Sequence, residues 1–287
     1  MSPPPVFALL GAPVGHSLSP LLHATMLRLC GLPGVYVALE VAQAQGDALI
    51  AALRTLGLAG VNLTIPLKEC ALGAADRVAP CAAAAGACNT LVREQDGCFV
   101  AYNTDGDGLL DAIAEAGPLP RRAAVLGAGG AGRGVAAALL RAGVEVHLRN
   151  RDPARAARVA AALGCAHGPL DPDAPPVDVD LIVDCTAASG PVAAPAVGGA
   201  RLRPGGMWVD TNYFRPPLGF AALQAAGFRT QTGHAMLLHQ ARRAFSLFTG
   251  VDAPTPAALR EGLCGTAWPA AADERPRHQP IGGGALR

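Results

Sequence analysis

Apolar runs of strand length alternate with longer stretches of helical spacing from the first residues onward. "VFALLG" (6–11) is a short apolar strand ending in a Gly/Pro turn. "SPLLHATMLRLCG" (19–31) has helical spacing, with Ser19 placed to cap and Pro20 at the first helical position. "VYVALEV" (35–41) reads as a strand, "GDALIAALRTLG" (46–57) as a helix closed by glycine, and "GVNLTIP" as a strand before a helix that begins near Leu67. A second unit starts near Arg121 with "RRAAVLGAGGAGRGVAAALLRAG", a strand, a glycine turn and a helix. "VEVHLRN", "VDLIVDCT", "GGMWVDT" and "GFRTQT" follow as strands, with the helix "DPARAARVAAALG" after the first of them. Such alternation predicts an α/β protein with largely parallel sheets covered on both faces.

The seam falls in "NTDGDGLLDAIAEAGPLP", which divides the chain into an N-terminal α/β unit (1–104) and a second unit (105–234). A last helix, "HAMLLHQARRAFSLFTG" (234–250), carries a broad apolar stripe, and 266–287, rich in Pro, Ala and Gly without periodicity, is expected to be a flexible tail.

Composition excludes several functions. At 287 residues, 51% hydrophobic and 16% charged, the chain can bury a sizeable core. A net charge of +1 and 4% aromatic residues provide neither an electrostatic footprint nor a stacking platform for nucleic acid, and no patch for an anionic membrane. The 8 cysteines form no C-x-x-C pair and no zinc-like Cys/His spacing, so no metal is expected. No basic stretch followed by an apolar run opens the chain, and no run reaches the ~18 apolar residues of a membrane span. A reducing cytoplasm is the expected setting, and the partner class is a small molecule.

Gly127, Gly129 and Gly132 form G-x-G-x-x-G between an apolar strand and an Ala/Leu helix, inside a βαβ unit. That context predicts a Rossmann-type dinucleotide site spanning Gly127, Ala128, Gly129, Gly130, Ala131 and Gly132, whose backbone approaches a pyrophosphate at the helix N-terminus. The end of the next strand chooses the nucleotide. Arg149, Asn150 and Arg151 stand there with Arg155 one turn later, a cluster of guanidinium groups suited to the 2′-phosphate of NADP. Asp152 is the counter-signal for NAD, although before Pro153 it also reads as an N-cap.

Of the 23 basic residues, 22 are arginine and only Lys68 is lysine. Arginine keeps its proton in proteins, whereas a lysine ammonium can take part in proton transfer. In "VNLTIPLKE" (61–69), strand alternation sends Val61, Leu63 and Ile65 one way and Asn62 and Thr64 the other, with Lys68 just past the strand end. In open α/β sheets that end is where ligands bind. Ser17 and Ser19 of "GHSLSP" could hydrogen-bond a carboxylate or cap a helix. Asn103, Thr104 and Asp105 lie at the seam, Asp105 as a functional acid or a turn residue, and Asn89 lies nearby in sequence.

"GAPVGHSLSP", "GVNLTIPLKE", "ACNT", "YNTDGDG", "GAGGAGRG", "NRD" and "MLLHQARRAFSLFTG" fall in an order that resembles the shikimate dehydrogenases, from about residue 6 to 264. The resemblance implies an N-terminal substrate domain, a Rossmann domain, and final helices (235–265) packed back on the first. It also implies NADP-dependent interconversion of 3-dehydroshikimate and shikimate by a monomer or homodimer. By the same resemblance Ser17 and Ser19 hold the substrate carboxylate with Thr64 close by. Asn62, Asn89 and Gln240 bond ring hydroxyls, and Tyr213 stands near the substrate. Lys68 and Asp105 form the catalytic pair. Gly233 and Met236, the latter followed by Leu237, lie towards the nicotinamide.

Two departures stand out. Asp184, Cys185 and Thr186 replace the family's Asn-x-Thr, leaving Thr186 in common at the nucleotide edge, and Arg215 with a double proline follows Tyr213. The competing readings are a quinate/shikimate dehydrogenase using NAD and a non-catalytic paralogue that binds the nucleotide or shikimate.

Overall fold

The computed structural model describes residues 3–42, 46–186, 196–214 and 219–269. Its first half runs β1 (Val6–Gly11), α1 (Ser19–Leu29), β2 (Val35–Glu40), α2 (Gly46–Thr55), β3 (Gly60–Leu63), α3 (Leu67–Cys70), β4 (Arg77–Val78), α4 (Pro80–Ala85), β5 (Thr90–Arg93) and β6 (Phe99–Tyr102). These strands form one sheet in the order β2-β1-β3-β5-β6-β4. The β1 pairings are parallel as expected, but β5 runs antiparallel to both β3 and β6, so this sheet is mixed.

The second half begins with α5 (Asp105–Ala116) and continues β7 (Arg122–Leu126), α6 (Gly130–Arg141), β8 (Glu145–Asn150), α7 (Pro153–Leu163), β9 (Ala166–Pro169), β10 (Val177–Asp184), β11 (Ala196–Val197) and β12 (Ala200–Asp210). It ends with α8 (Phe220–Ala225), β13 (Arg229–Gln231), α9 (Gly233–Thr249) and α10 (Pro256–Gly262). The second sheet has the order β11-β12-β10-β7-β8-β9, with β13 also on β12, and its long pairings are parallel. Carboxyl ends of parallel strands therefore gather on one edge, where the β7–α6 glycine turn lies.

Local chemistry sets the helix ends. Asp152 caps α7, its Oδ1 accepting from the N–H groups of Ala154 (2.9 Å) and Arg155 (3.1 Å), and Pro153 opens the helix. Ser19, expected to cap α1, is instead its first residue; Leu18 occupies the cap, and the Ser19 N–H donates to Ser17 Oγ at 3.2 Å. Strand β3 stops at Leu63, so Ile65 leaves the apolar face assigned to it and is 60% exposed.

Helix α9 belongs to both halves. Met236 sits in the core of the second sheet with Leu109, Val125 and Leu148, while Leu237, Leu238, Ala241 and Phe245 pack with Phe7, Leu22 and Met26 of the first. Gly108 makes the approach of α9 to α5 possible, because a Cβ there would lie 2.6 Å from the Gln240 backbone nitrogen. The packed chain also extends past the expected start of the tail. Trp268 is buried in the same core and sits edge-on to His234 with ring centroids 5.5 Å apart. Arg215 with its double proline, and the remainder of the expected tail from 270 onward, lie outside the described residues.

His23 of α1 stacks on Tyr36 of β2, centroids 4.1 Å apart and planes 7° from parallel, with its Nε2 buried and unpartnered. Burial lowers its pKa from 6.5 to about 3. The folded chain thus refuses a proton that the unfolded chain takes up, so stability is full above pH 6.5 and declines towards pH 3. His23→Phe should remove about 1.4 kcal/mol per pH unit from that slope. Denaturant unfolding of both proteins across this interval checks it; identical slopes would exclude His23 as the source.

Candidate active site

Lys68 rises from α3 on the first sheet's side and Asp105 opens α5 on the other. Lys68 Nζ donates to Asp105 Oδ2 at 2.5 Å, and the side chains retain only 16% and 8% of their exposure. The carboxylate is fixed from behind. Its Oδ1 accepts from Asn89 Nδ2 at 2.8 Å, while the Asp105 N–H donates to Asn103 Oδ1 at 3.1 Å. Asn103 is itself held by Nδ2 donation to the Ala87 carbonyl, 3.0 Å. A pair this buried is helped by the second carboxylate oxygen having its own donor.

Asn89 is the hub. Its Oδ1 accepts from the Thr104 N–H (2.8 Å) and the Thr90 hydroxyl (2.9 Å), and its Nδ2 lies 2.9 Å from Thr104 Oγ1 and 3.4 Å from Gln240 Oε1. Gln240 is thereby brought from α9 to the seam, where its Nε2 donates to the Leu237 carbonyl at 3.0 Å. Asn62 joins from β3, donating from Nδ2 to Thr90 Oγ1 at 3.0 Å and accepting on Oδ1 from the Tyr36 hydroxyl at 2.8 Å.

The network continues to the β1–α1 loop. Ser17 Oγ donates to Ser19 Oγ at 3.2 Å, with the Tyr36 hydroxyl near Ser19 and the Tyr213 hydroxyl near Ser17. Burial raises the Tyr213 phenol, with the nearby Ser17 hydroxyl acting against it, so it remains a neutral hydrogen-bonding group at physiological pH. Thr64 lies one residue beyond β3, and a Cβ on Gly11 would fall 2.3 Å from its methyl group. Thus Asn62, Lys68, Asn89, Asp105 and Gln240 are linked by hydrogen bonds, and the Ser17–Ser19 pair and Tyr213 lie beside them. Tyr36 escapes a reading of the sequence; its only signal is that it is the one buried position of β2. Behind the cluster a separate cavity of about 600 Å³, lined among others by Tyr102, Asp111, Arg243 and Ser246, shares Asn103 and Thr104 with it but includes neither Lys68 nor Asp105.

On the nucleotide side, a Cβ on Gly132 would lie 1.9 Å from the Gly127 carbonyl oxygen, so only glycine lets helix and turn meet. Gly129 caps α6 without a side-chain bond, and a Cβ placed on it would have nothing within 4 Å, leaving the helix N-terminus open to an anion. These features fit a dinucleotide pyrophosphate. Asn150 Oδ1 accepts from the Ala128 N–H at 3.1 Å, so it braces the loop. A Cβ on Gly130 would lie 2.8 Å from Lys68 Cβ, which puts the glycine turn directly against the lysine stem. Ala131 follows Gly130 in the first turn of α6. Gly233 admits the close approach of the Thr211 carbonyl, 2.1 Å from a Cβ there, and Met236 packs into the second core.

The arginines divide. Arg151 is exposed and makes no ion pair among the described residues. Arg155 donates from Nε to the Ala128 carbonyl at 3.1 Å and pairs with Glu69 across the seam. Arg149 departs from the expected cluster: it is 6% exposed, Nε is buried and unpartnered, and its guanidinium lies against Gly168 and Gly199.

Asp184 and Asp210 are register partners at the ends of β10 and β12, and both are buried. Asp184 Oδ1 accepts from the Thr186 N–H (2.9 Å) and hydroxyl (2.6 Å). Burial raises the Asp184 carboxyl and the Asp210 charge adds to it. A carboxyl raised on folding contributes its stability at low pH and loses it as pH increases. Asp184→Asn keeps an acceptor for both Thr186 donors and removes the charge, so Tm at pH 7 should rise by about 2–4 °C, the shift of ~1 kcal/mol in a chain of this size. A scanning-calorimetry Tm that falls instead would show the ionised form to be the favoured one.

Comparison with known proteins agrees with this geometry. The family described as shikimate dehydrogenase substrate binding domain matches residues 9–91, and the shikimate 5'-dehydrogenase C-terminal domain matches 233–261. The shikimate dehydrogenase (NADP(+)) of Moorella thermoacetica is 40% identical over 281 residues, covering 89% of this chain and 92% of that protein. That of Thermus thermophilus is 42% identical over 264 residues, covering 89% and 96%. The crystal structure of a Thermus thermophilus shikimate 5-dehydrogenase in complex with NADP(H) and shikimate superimposes with a TM-score of 0.76 at 38% identity, over 90% of this chain and 98% of that one. Identity of 40–42% over nearly the whole length of such relatives places this chain in the shikimate dehydrogenase family.

Proposed function

We propose that this protein is a shikimate dehydrogenase that interconverts 3-dehydroshikimate and shikimate with NADP. The observation that carries the reading is the Lys68–Asp105 pair, joined at 2.5 Å where the two sheets meet and backed by the Gly130 turn. Ser17, Ser19 and Tyr213 offer hydroxyls for a carboxylate, and Asn62, Asn89 and Gln240 offer amides for ring hydroxyls. Gly127, Ala128, Gly129, Gly130, Ala131 and Gly132 would hold the pyrophosphate, with Asn150 bracing the loop. Arg151 and Arg155 would meet the 2′-phosphate. Thr186, Gly233 and Met236 would line the nicotinamide side of the same nucleotide.

The bound nucleotide supplies or accepts the hydride. The chain's own part is the proton. As the ketone becomes an alkoxide, Lys68 Nζ donates a proton to the oxygen, and in the reverse direction it receives that proton from the hydroxyl. Asp105 directs the ammonium and balances its charge while Asn89 keeps the carboxylate from turning and Asn103 holds its backbone. Arginine at 68 would preserve the charge without delivering the proton.

Lys68→Arg should therefore lower kcat about 100-fold or more, the usual share of a positioned acid–base group, while substrate KM changes far less. Near-normal turnover would take Lys68 out of the proton path. The reading as a whole is tested by steady-state kinetics crossing NADP and NAD with shikimate and quinate. The highest kcat/KM is expected for shikimate with NADP. A preference for quinate with NAD, or no shikimate-dependent nucleotide reduction at all, would overturn it.

A further inference from the structure

Glu69 follows Lys68 on α3 and is the meeting point of two arginines from the other side of the seam. Its Oε1 pairs with Arg155 of α7, and its Oε2 lies 3.5 Å from an Arg133 terminal nitrogen on α6. Both guanidinium groups turn their Nε towards one acceptor, the Ala128 carbonyl in the glycine turn, at 3.1 Å from Arg155 and 3.4 Å from Arg133. Glutamate, two arginines and the loop carbonyl thus form a closed polar ring at the mouth of the nucleotide site. Asp152, the nearest acid in sequence, pairs with neither arginine among the described residues, and its Oδ1 caps α7.

We propose that Glu69 is the counter-ion which the 2′-phosphate of NADP must displace from Arg155, and that it thereby sets the selectivity between NADP and NAD. This rests on the reading of Arg155 as a 2′-phosphate ligand. The Glu69 side chain is 42% exposed and that of Arg155 37%, so the pair is accessible to an incoming anion. A phosphate monoester brings close to two negative charges and three acceptor oxygens against one carboxylate, so it wins the guanidinium. NAD presents only a hydroxyl at that carbon and leaves the Arg155–Glu69 pair in place. The carboxylate also stands beside the arriving phosphate as a like charge. Both effects weaken NADP binding and spare NAD.

Dissociation constants for NADP and NAD should be measured by calorimetric titration of the full chain and of Glu69→Gln, Arg155→Ala and the double variant, with thermal unfolding to verify folding. Glu69→Gln is expected to tighten NADP about two- to fivefold, the range of half-exposed ion pairs, and leave NAD unchanged. Arg155→Ala is expected to weaken NADP selectively and abolish the effect of the Gln substitution in the double variant. Equal changes for both nucleotides, or none, from Glu69→Gln while Arg155→Ala acts as stated would overturn the role of Glu69 alone. If Arg155→Ala spares NADP, the assignment of the 2′-phosphate to Arg155 falls and the role of Glu69 with it.

Discussion

Burying an ammonium and a carboxylate together is the constraint around which this molecule is arranged. Each charge loses hydration at the seam, and their attraction compensates only if the remaining polar atoms find partners. Asn89 supplies one to the carboxylate, Thr104 holds Asn89 through its N–H, and Asn103, anchored to the Ala87 carbonyl, holds the Asp105 backbone. Removing one charge alone would strand the other at a cost of about 3–5 kcal/mol, so the pair is a structural join in its own right. It ties α3 of the first half to the start of α5 in the second.

Around that join the polar groups form a preorganised surface. Tyr36, near Ser19, donates to the amide oxygen of Asn62, and Asn62 connects to Asn89 through Thr90. A ligand entering here exchanges one set of hydrogen bonds for another, so discrimination comes from geometry more than from the number of bonds. The same economy of placement holds on the nucleotide side. Ala128 lends its N–H to Asn150 and its carbonyl to Arg155, which fixes the turn from both directions.

Much of this was legible from residue order. The glycine turn, the solitary lysine and the cap at Asp152 are short-range features, determined by neighbours in the chain, and each lies where its local pattern put it. The less legible features are long-range. Strands β4, β5 and β6 have two to four residues each, too short for alternation to register, and the antiparallel course of β5 follows from its pairing with β3. Arg149 looked like a phosphate ligand because it stands in sequence beside Arg151 and Arg155, yet strand alternation turns it from Asn150 into a buried position beside Gly168. Trp268 was lost in a Pro/Ala/Gly-rich stretch, although one large ring suffices to anchor a segment to a core. Gln240 reads from α9 alone as a surface polar residue, and only the glycine at 108 shows how closely that helix approaches.

The path of α9 bears on how the protein is made. The apolar surface of β1 and α1, among the first segments to be synthesised, is covered by Leu238, Phe245 and Trp268, among the later ones. That face of the earlier half therefore cannot be covered while the nascent chain is still short of α9, although the core around Leu53, Val61 and Phe99 draws only on the half's own residues. The face must wait, uncovered, through translation of the entire nucleotide-binding half. Folding of the two halves is thereby tied to one late event, and the arrival of that helix also brings Gln240 to the site.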